Sequence, residues 1–478
     1  SLPISVVEPR KAAIWPIPWM KWPRRLPTAA QHQDTSKNWL PLPPRWKTLR
    51  ALCVVKPALI IGALCSALLG LAAQADTAVL KADRMLDVRA GKIISPAVLV
   101  VTDGLITSVN SDQLPGGATV IELGDRTLMP GLMDMHTHIT ADYFTGDDWT
   151  TAVVRQTAPD WALMGVKYAR EVLDAGFTTV RDVGAFPGFP DVALMRAIDA
   201  GYVQGPDIWP AGHAISITGG HCDWTGYAPG IAEVGPEAGI ADGVDEVMKA
   251  VRYQAKHGVR VIKVCATGGV FSFSQNAEVG ALQYTLEELQ AIVREAHKLG
   301  LKVAAHAHGT VGINTAVIAG VDSIEHGSIL SDESIRLMKE NGTFLVPQAY
   351  LNEFELPPET PAATVAKNDY LKPLVSESLL LAYEAGVNMA LGTDNGVFPH
   401  ADSGLEFAAL VRGGITEADA LRMATVNGAQ LLGVSDRGEL AAGLRADIIA
   451  VNGNPLEDIT TMESVPFVMK QGVVYKTN

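Results

Sequence analysis

Between residues 77 and 121, apolar residues come in short runs broken by turn formers: Ala78-Val-Leu-Lys-Ala82, Ala97-Val-Leu-Val-Val-Thr102 and Leu105-Ile-Thr-Ser-Val109. Such runs predict strands. Asp103-Gly104 between two of them is a hairpin signal, because that pair accepts the positive φ values a two-residue turn requires. The far end reads likewise, with Asp447-Ile-Ile-Ala-Val451 and Pro466-Phe-Val-Met-Lys-Gln-Gly-Val-Val-Tyr475. Two strand-rich ends around a different middle predict a small β-sandwich domain assembled from residues 76–128 and 431–478. Over residues 129–430 the pattern alternates. Strands are expected to end near His138, Asp182, Ser216, Thr267, His306, His326, Gln348 and Asp394, with helices between them such as Asp160–Ala175, Asp245–His257 and Leu286–Leu299. Gly176, Gly258, Gly300 and Gly386 stand where helices stop. Eight β-α units of this kind predict an α/β chain with a (β/α)8 TIM-type barrel. A doubly wound sheet is the competing arrangement.

The first 75 residues break the pattern. Lys47, Arg50 and Lys56 precede an apolar run from Pro57 to Ala73, and Ala73-Gln74-Ala75 is a small-x-small cleavage site. Residues 47–75 therefore read as a secretory signal peptide, with the mature chain starting near Asp76 and exported to the periplasm or medium. The competing reading, a membrane anchor, needs an apolar run of ~20 residues. Residues 1–46 hold five of the nine tryptophans and many prolines. They are read as a non-native leader or translation from a misplaced start.

Charge sharpens the division. Residues 1–75 carry ten Lys/Arg and two Asp/Glu, leaving 28 basic against 50 acidic residues beyond them. An acidic body argues against a nucleic-acid partner. Of four cysteines, Cys53 and Cys65 fall in the leader. Cys222 and Cys265 are too few for a disulfide framework, and Cys265, in an apolar strand, is expected to be a buried thiol.

The candidate chemistry lies at the predicted strand ends, where such barrels place their active sites. His136 and His138 close Leu128-Met-Pro-Gly-Leu-Met-Asp-Met-His-Thr-His138; residues two apart on a strand share a face. Lys263 sits inside Val259-Arg-Val-Ile-Lys-Val-Cys-Ala-Thr267, His306 ends Leu301-Lys-Val-Ala-Ala-His306, His326 ends Val321-Asp-Ser-Ile-Glu-His326, and Asp394 ends Val387-Asn-Met-Ala-Leu-Gly-Thr-Asp394. A lone histidine is more often a core or surface residue, and Asp394 alone reads equally as a helix cap. Four histidines and an aspartate at strand ends of one barrel point to a metal site. Lys263 among apolar neighbours is costly when charged. Deprotonated, it can react with carbon dioxide to an anionic carbamate able to bridge two metals; the alternative is a packed stem with its head in solvent. His257 and His297 fall in helices and are expected to be solvated. His221, in Ile217-Thr-Gly-Gly-His221, is the candidate for touching substrate.

With these segments together, the chain resembles the amidohydrolase superfamily, in its branch of binuclear zinc dipeptidases and imidazolonepropionase relatives. The matching segments are Pro130–His138, Thr178-Thr-Val-Arg-Asp182, Ile262-Lys-Val-Cys-Ala-Thr-Gly-Gly269, Ala304-Ala-His-Ala-His-Gly309, Ser323-Ile-Glu-His-Gly327, Leu391-Gly-Thr-Asp394 and the Gly438–Pro455 return to the β domain. The resemblance runs from about Thr77 to the C-terminus. It implies two Zn2+ ions, one held by His136, His138 and Asp394, the other by His306 and His326, with carboxylated Lys263 between them. It also implies a hydrolase of amide bonds in dipeptides or N-acyl amino acids, including Xaa-Pro and Xaa-Arg/Lys types and ochratoxin A, itself an N-acyl phenylalanine. Asp394 and His221 are then the catalytic candidates. His308, Tyr227, Tyr284 and Arg181 are candidates for binding substrate, alongside the Gly268–Gln275 loop, with a structural ion pair as the alternative for Arg181. A homo-oligomer is the family habit. The rival readings are a cyclic-amide hydrolase or deaminase on the same scaffold, and a non-catalytic assembly scaffold.

Overall fold

The structure is a computed structural model that describes residues 77–143, 149–272 and 278–478. The expected leader and signal peptide lie outside them, as does part of the Gly268–Gln275 loop. The chain first builds a mixed sheet in the order Val473–Thr477, Phe467–Lys470, Ile448–Asn452, Thr119–Pro130, Thr77–Asp87, Ala97–Thr102, Leu105–Val109, with Lys92–Ile94 beside Thr77–Asp87. Its two halves, from opposite chain ends, join where Ile448 pairs with Pro130 and Asn452 with Arg126. The sheet then folds back on itself. Leu105 bridges Arg445, and the Ile106 amide donates to the Leu444 carbonyl at 2.8 Å. Leu80, Leu99, Ile106, Leu128, Ile448 and Phe467 fill the space enclosed. At the expected hairpin, Asp103 and Gly104 both have positive φ, 51° and 80°.

Thr119–Pro130 runs through Gly131 directly into Leu132–Thr137, carrying the chain from the small sheet into the barrel. A Cβ at residue 131 would lie 2.3 Å from Thr178 Oγ1, so the crossing needs glycine. Leu132–Thr137, Phe177–Asp182 and Asp207–Pro210 form one parallel sheet, and Val261–Cys265, Lys302–Ala307, Ser323–His326 and Phe344–Val346 another. Single bridges join them into a ring: Ile215 to Val264, Leu345 to Met389, and Thr137 to Asn395. The expected strands at Ser216 and Asp394 are thus irregular. Pro210 has no amide hydrogen to give, and Gly212 (φ 66°) and Asp394 (φ 62°) turn the backbone out of the extended region.

Helices alternate with these strands and bury one face against them. Ala158–Asp174, Gly243–His257 and Leu286–Lys298 match the expected helices to within two residues. Leu286–Lys298 starts at a capping box in which the Thr285 hydroxyl accepts from the Glu288 amide and Glu288 reaches back. Gly258, at φ 100°, ends Gly243–His257. Ala362–Glu384 is the longest helix described. The architecture is a TIM-type barrel with a small β domain made from both chain ends.

Candidate metal centre

Alternation along Leu132–Thr137 turns Asp134, His136 and, just beyond, His138 toward the barrel interior. The neighbouring segment is tied to it by the Asp394 amide, which donates to the His136 carbonyl at 2.7 Å. This brings Asp394 Oδ1 to 3.5 Å from His136 Nε2 and 3.2 Å from His138 Nε2. Across the ring, the His326 imidazole lies 5.2 Å from that of His136 and 4.7 Å from that of His306. Two sets of donor atoms each fall within 4.8 Å of one another: His136, His326 and Asp394, and His306, His308 and His326. Lys263, 4 % exposed, lines the same cavity. His326 and Asp394 hold left-handed φ values of 69° and 62°. Such strain at non-glycine residues persists where the surroundings enforce it, and it concentrates at functional sites.

The electrostatics suit ligation. Burial, aided by the Lys263 charge, lowers His136 to about 4. Burial and neighbouring charge lower His221 and His308 to about 3 and take His306 and His326 well below the ordinary imidazole value. These rings are neutral at pH 7, the form that binds a cation. Burial lowers Lys263 to about 8. Burial also raises Asp394, but His136, His138 and Lys263 outweigh it and hold the carboxyl below its usual range. The buried Nε2 of His306 has no hydrogen-bond partner among the described residues, an orphan that a metal ion would satisfy. The donor set and this orphan fit a metal pair.

Further residues fix the orientation of the candidate ligands. His136 Nδ1 donates to Glu325 Oε2 at 2.8 Å, and His138 Nδ1 donates to the Gly184 carbonyl at 2.9 Å. Both bonds leave Nε2 as the coordinating nitrogen. Glu325 is itself gripped by Arg181 Nη2 at 2.8 Å and the Ser323 hydroxyl at 2.6 Å. Glu325 is a residue of this site that the sequence reading missed. Its signal was alternation: in Ser323-Ile-Glu-His326 the first and third residues point inward together.

Two cavities meet at this centre. The first, about 1190 Å³ with its open mouth, is lined by Tyr143, Phe186, His213, Trp224 and Tyr227. The second has one apolar side, with Val270, Leu351, Phe354, Leu356, Leu371 and Val375, and a polar side that includes His308, Ser328, Gln348 and Asn352. His221, Phe271, His306, His326 and Asp394 border both.

Three expectations are corrected. Arg181 reaches neither cavity: it is 2 % exposed and spends its guanidinium on Met135, Ser323 and Glu325 inside the barrel. Tyr284 is fully buried, its hydroxyl donating to the Ala241 carbonyl at 2.9 Å. Cys265 is no free thiol but is joined to Cys222, with Cα atoms 6.4 Å apart, inside the ~4.4–6.8 Å a disulfide spans. Forty-three residues separate the two in sequence, and only the loop after residue 216 folding over the end of Val261–Cys265 brings them together. His221, Tyr227 and His308 do border the cavities, and the expected ligands converge.

Residues 127–475 match the amidohydrolase family. The chain is 35% identical over 418 residues to the ochratoxinase of Aspergillus niger, covering 81% of this chain and 84% of that one. Among solved structures it resembles a Xaa-Pro dipeptidase with methionine bound in its active site, at TM-score 0.79 and 36% identity, over 84% of this chain and 100% of that one. It also resembles the A. niger ochratoxinase crystal structure, at TM-score 0.75 and 32% identity, over 85% and 96%. The family match spans most of the sequence and contains every proposed ligand: the chain belongs to the amidohydrolase family.

Proposed function

We propose that this chain hydrolyses the amide bond of N-acyl amino acids or dipeptides at a two-zinc centre. His136, His138 and Asp394 would hold one ion, His306 and His326 the other, with Lys263, carboxylated on Nζ, between them. Bound there, two divalent cations supply a water of lowered pKa and polarise a carbonyl. The chain's own residues do the rest. Asp394, kept anionic by the histidines beside it, accepts the water's proton and returns it to the departing amine nitrogen, acting as base and then acid. His221, neutral and bordering both cavities, donates a hydrogen bond to the oxyanion that develops on the carbonyl. Tyr227 and His308 border the cavities that would receive the two halves of the substrate.

The observation that carries this reading is the meeting of two cavities at Asp394 and His221. The two groups that an amide joins would then lie on either side of these residues. The ochratoxinase and Xaa-Pro dipeptidase relatives support the bond type. The Cys222–Cys265 disulfide supports an exported protein, because such bonds persist in oxidising compartments.

The test is zinc-loaded protein assayed against ochratoxin A, N-acyl amino acids and dipeptides with varied C-terminal residues, reading release of the free amine. Cleavage of at least one series, with about two zinc ions per chain by mass spectrometry, is expected. Turnover of cyclic amides or amino-heterocycles alone would replace this reading with the deaminase or cyclic-amide alternative.

A further inference from the structure

His221 is held by more contacts than a loop residue needs. Its amide donates to Gln283 Oε1 at 3.1 Å, and the next amide, of Cys222, donates to Ser216 Oγ at 3.2 Å. Cys222 is bonded to Cys265, which stands two residues beyond Lys263, so the His221 loop is covalently pinned to the strand that carries the bridging lysine. The imidazole lies against the ring of His306, centroids 4.0 Å apart. Its other side rests on bare backbone, since a Cβ at Gly269 would come within 2.4 Å of the ring. One ring nitrogen, Nδ1, is 2.8 Å from Ser272 Oγ.

The direction of that last bond follows from the rest of the network. Ser272 is 7 % exposed, and its oxygen already accepts the Gly269 amide at 2.9 Å. A hydroxyl carries one hydrogen. If Ser272 also accepted from Nδ1, that hydrogen would be buried without an acceptor among the described residues, which is costly. Donating it to Nδ1 satisfies every group. Nδ1 is then the acceptor, and the ring's own proton must reside on Nε2. The loop bearing Ser272 is tied in turn to the long helix, whose Lys367 Nζ donates to the Ser272 carbonyl at 3.3 Å.

We infer that Ser272 and the Cys222–Cys265 disulfide are positioning residues for catalysis: the serine fixes His221 as the Nε2–H tautomer, and the disulfide fixes where that hydrogen points. The inference rests on the oxyanion role proposed for His221, and it assigns a positioning role to residues outside the proposed ligand set. The arrangement is a relay in three steps. The Gly269 amide sets the Ser272 oxygen as acceptor, the Ser272 hydrogen sets Nδ1 as acceptor, and Nε2–H becomes the donor aimed at the scissile carbonyl. It also explains why a pair of cysteines sits in a cavity wall: the covalent tie keeps a neutral ring from swinging away while substrate enters.

The test uses the full-length, zinc-loaded enzyme. Histidine 15N NMR, with His221 assigned by its loss in His221→Ala, is expected to show the proton on Nε2; a proton on Nδ1 overturns the inference. Ser272→Ala should lower kcat about tenfold with KM changed less than twofold, and Ser272→Thr, which keeps the hydroxyl, should restore kcat to within threefold. In a His221→Ala background, Ser272→Ala should cost nothing further. Cys222→Ser/Cys265→Ser should lower kcat in the wild-type background and leave it unchanged in His221→Ala. Equal losses in both backgrounds would mean that the disulfide supports only the fold. The NMR readout needs no turnover, so failure to find an amide substrate would remove the proposed function without deciding the tautomer.

Discussion

Asp207, the first residue of its barrel strand, meets Arg437 and Arg445 through one carboxylate oxygen at 2.8 and 2.7 Å, and Lys470 through the other at 2.8 Å. At the opposite ends of the strands, His136, His221, His306, His308 and His326 crowd together with Lys263 and Asp394. Both clusters are buried and polar. They differ in where their interactions close. Around Asp207, opposite charges meet inside the protein. Burial raises that carboxyl, yet the three cations more than reverse it and hold it far below the usual range. At the other end, like groups are packed against one another. Their pKa values fall, and an imidazole nitrogen of His306 is left without a partner. A cluster that closes on itself serves the fold; here it ties the barrel to the small sheet that carries Arg445 and Lys470. A cluster left open is built for something that arrives later.

The comparison predicts that the two ends fail differently when cut. Asp394→Asn should lower kcat by roughly 10²–10⁴, while the melting temperature and metal content change little. Substantial activity in that variant would take Asp394 out of proton transfer. Lys263→Ala tests the bridge at the same end: bound zinc per chain and kcat should fall together, and full zinc with full activity would show that no bridge is needed. Asp207→Ala should do the reverse. Removing the shared partner leaves buried Lys470 without a carboxylate, and leaves Arg437 and Arg445 with Asp436 and Asp447 alone; it should cost about 3–5 kcal/mol of stability, read as a shift in the denaturant midpoint, with kcat per folded molecule within about twofold of wild type. A Asp207→Ala protein as stable as wild type would erase the contrast.

Between these extremes stands Glu325, which belongs to both designs. It is paired with Arg181 as Asp207 is with its cations. Burial pushes its carboxyl up, but Arg181 and His136 bring it to about 2. It also orients His136, a proposed metal ligand. Glu325→Gln should therefore weaken zinc binding by about 10–100-fold, measured by competition with a chelator, with a smaller loss of kcat at saturating zinc. Unchanged zinc affinity would make Glu325 purely structural.

The sequence showed the open cluster better than the closed one, for a physical reason. In such barrels the active site stands at strand ends, so a predicted strand ending in His or Asp marks a candidate; His136, His306 and His326 lie at the ends of described strands, whereas the segment ending at Asp394 is irregular. Groups that interact across the ring leave no local mark. The Arg181–Glu325 pair spans 144 residues and the Arg437–Asp207 pair 230, so Arg181 read as either a substrate contact or a structural ion pair, and its partner could not be named. Cys222 and Cys265 were legible as residues but not as a pair, since neither one's neighbours say where a loop folds back. The apolar side of the second cavity is assembled from Leu351, Phe354 and Leu371, each of which reads alone as ordinary core.

The smallest effect separates the clusters by pH. His400, 2 % exposed and stacked on Tyr168 at 4.3 Å, is lowered by burial to about 4 from a model-peptide value of 6.5. Its Nε2 donates to the Ala141 carbonyl at 2.9 Å. It is no proposed ligand, so its titration can be followed apart from zinc. Because the folded value is depressed, the unfolded chain takes up the proton first as pH falls through 6.5. Stability is therefore complete above pH 6.5 and declines toward pH 4, by about 1 kcal/mol at pH 5.5 for this group. The folded value of Asp207 is depressed too, but from 3.8, so its contribution persists through that window and is lost only at lower pH. Melting temperature followed from pH 7.5 to 5.5 should fall in the wild type and fall less in His400→Gln, whose side chain does not titrate. Asp207→Ala should start lower and run parallel to wild type over the same range. If the Asp207→Ala slope instead flattens there, the closed cluster titrates in the histidine window, and its cations do not hold the carboxylate as the distances require.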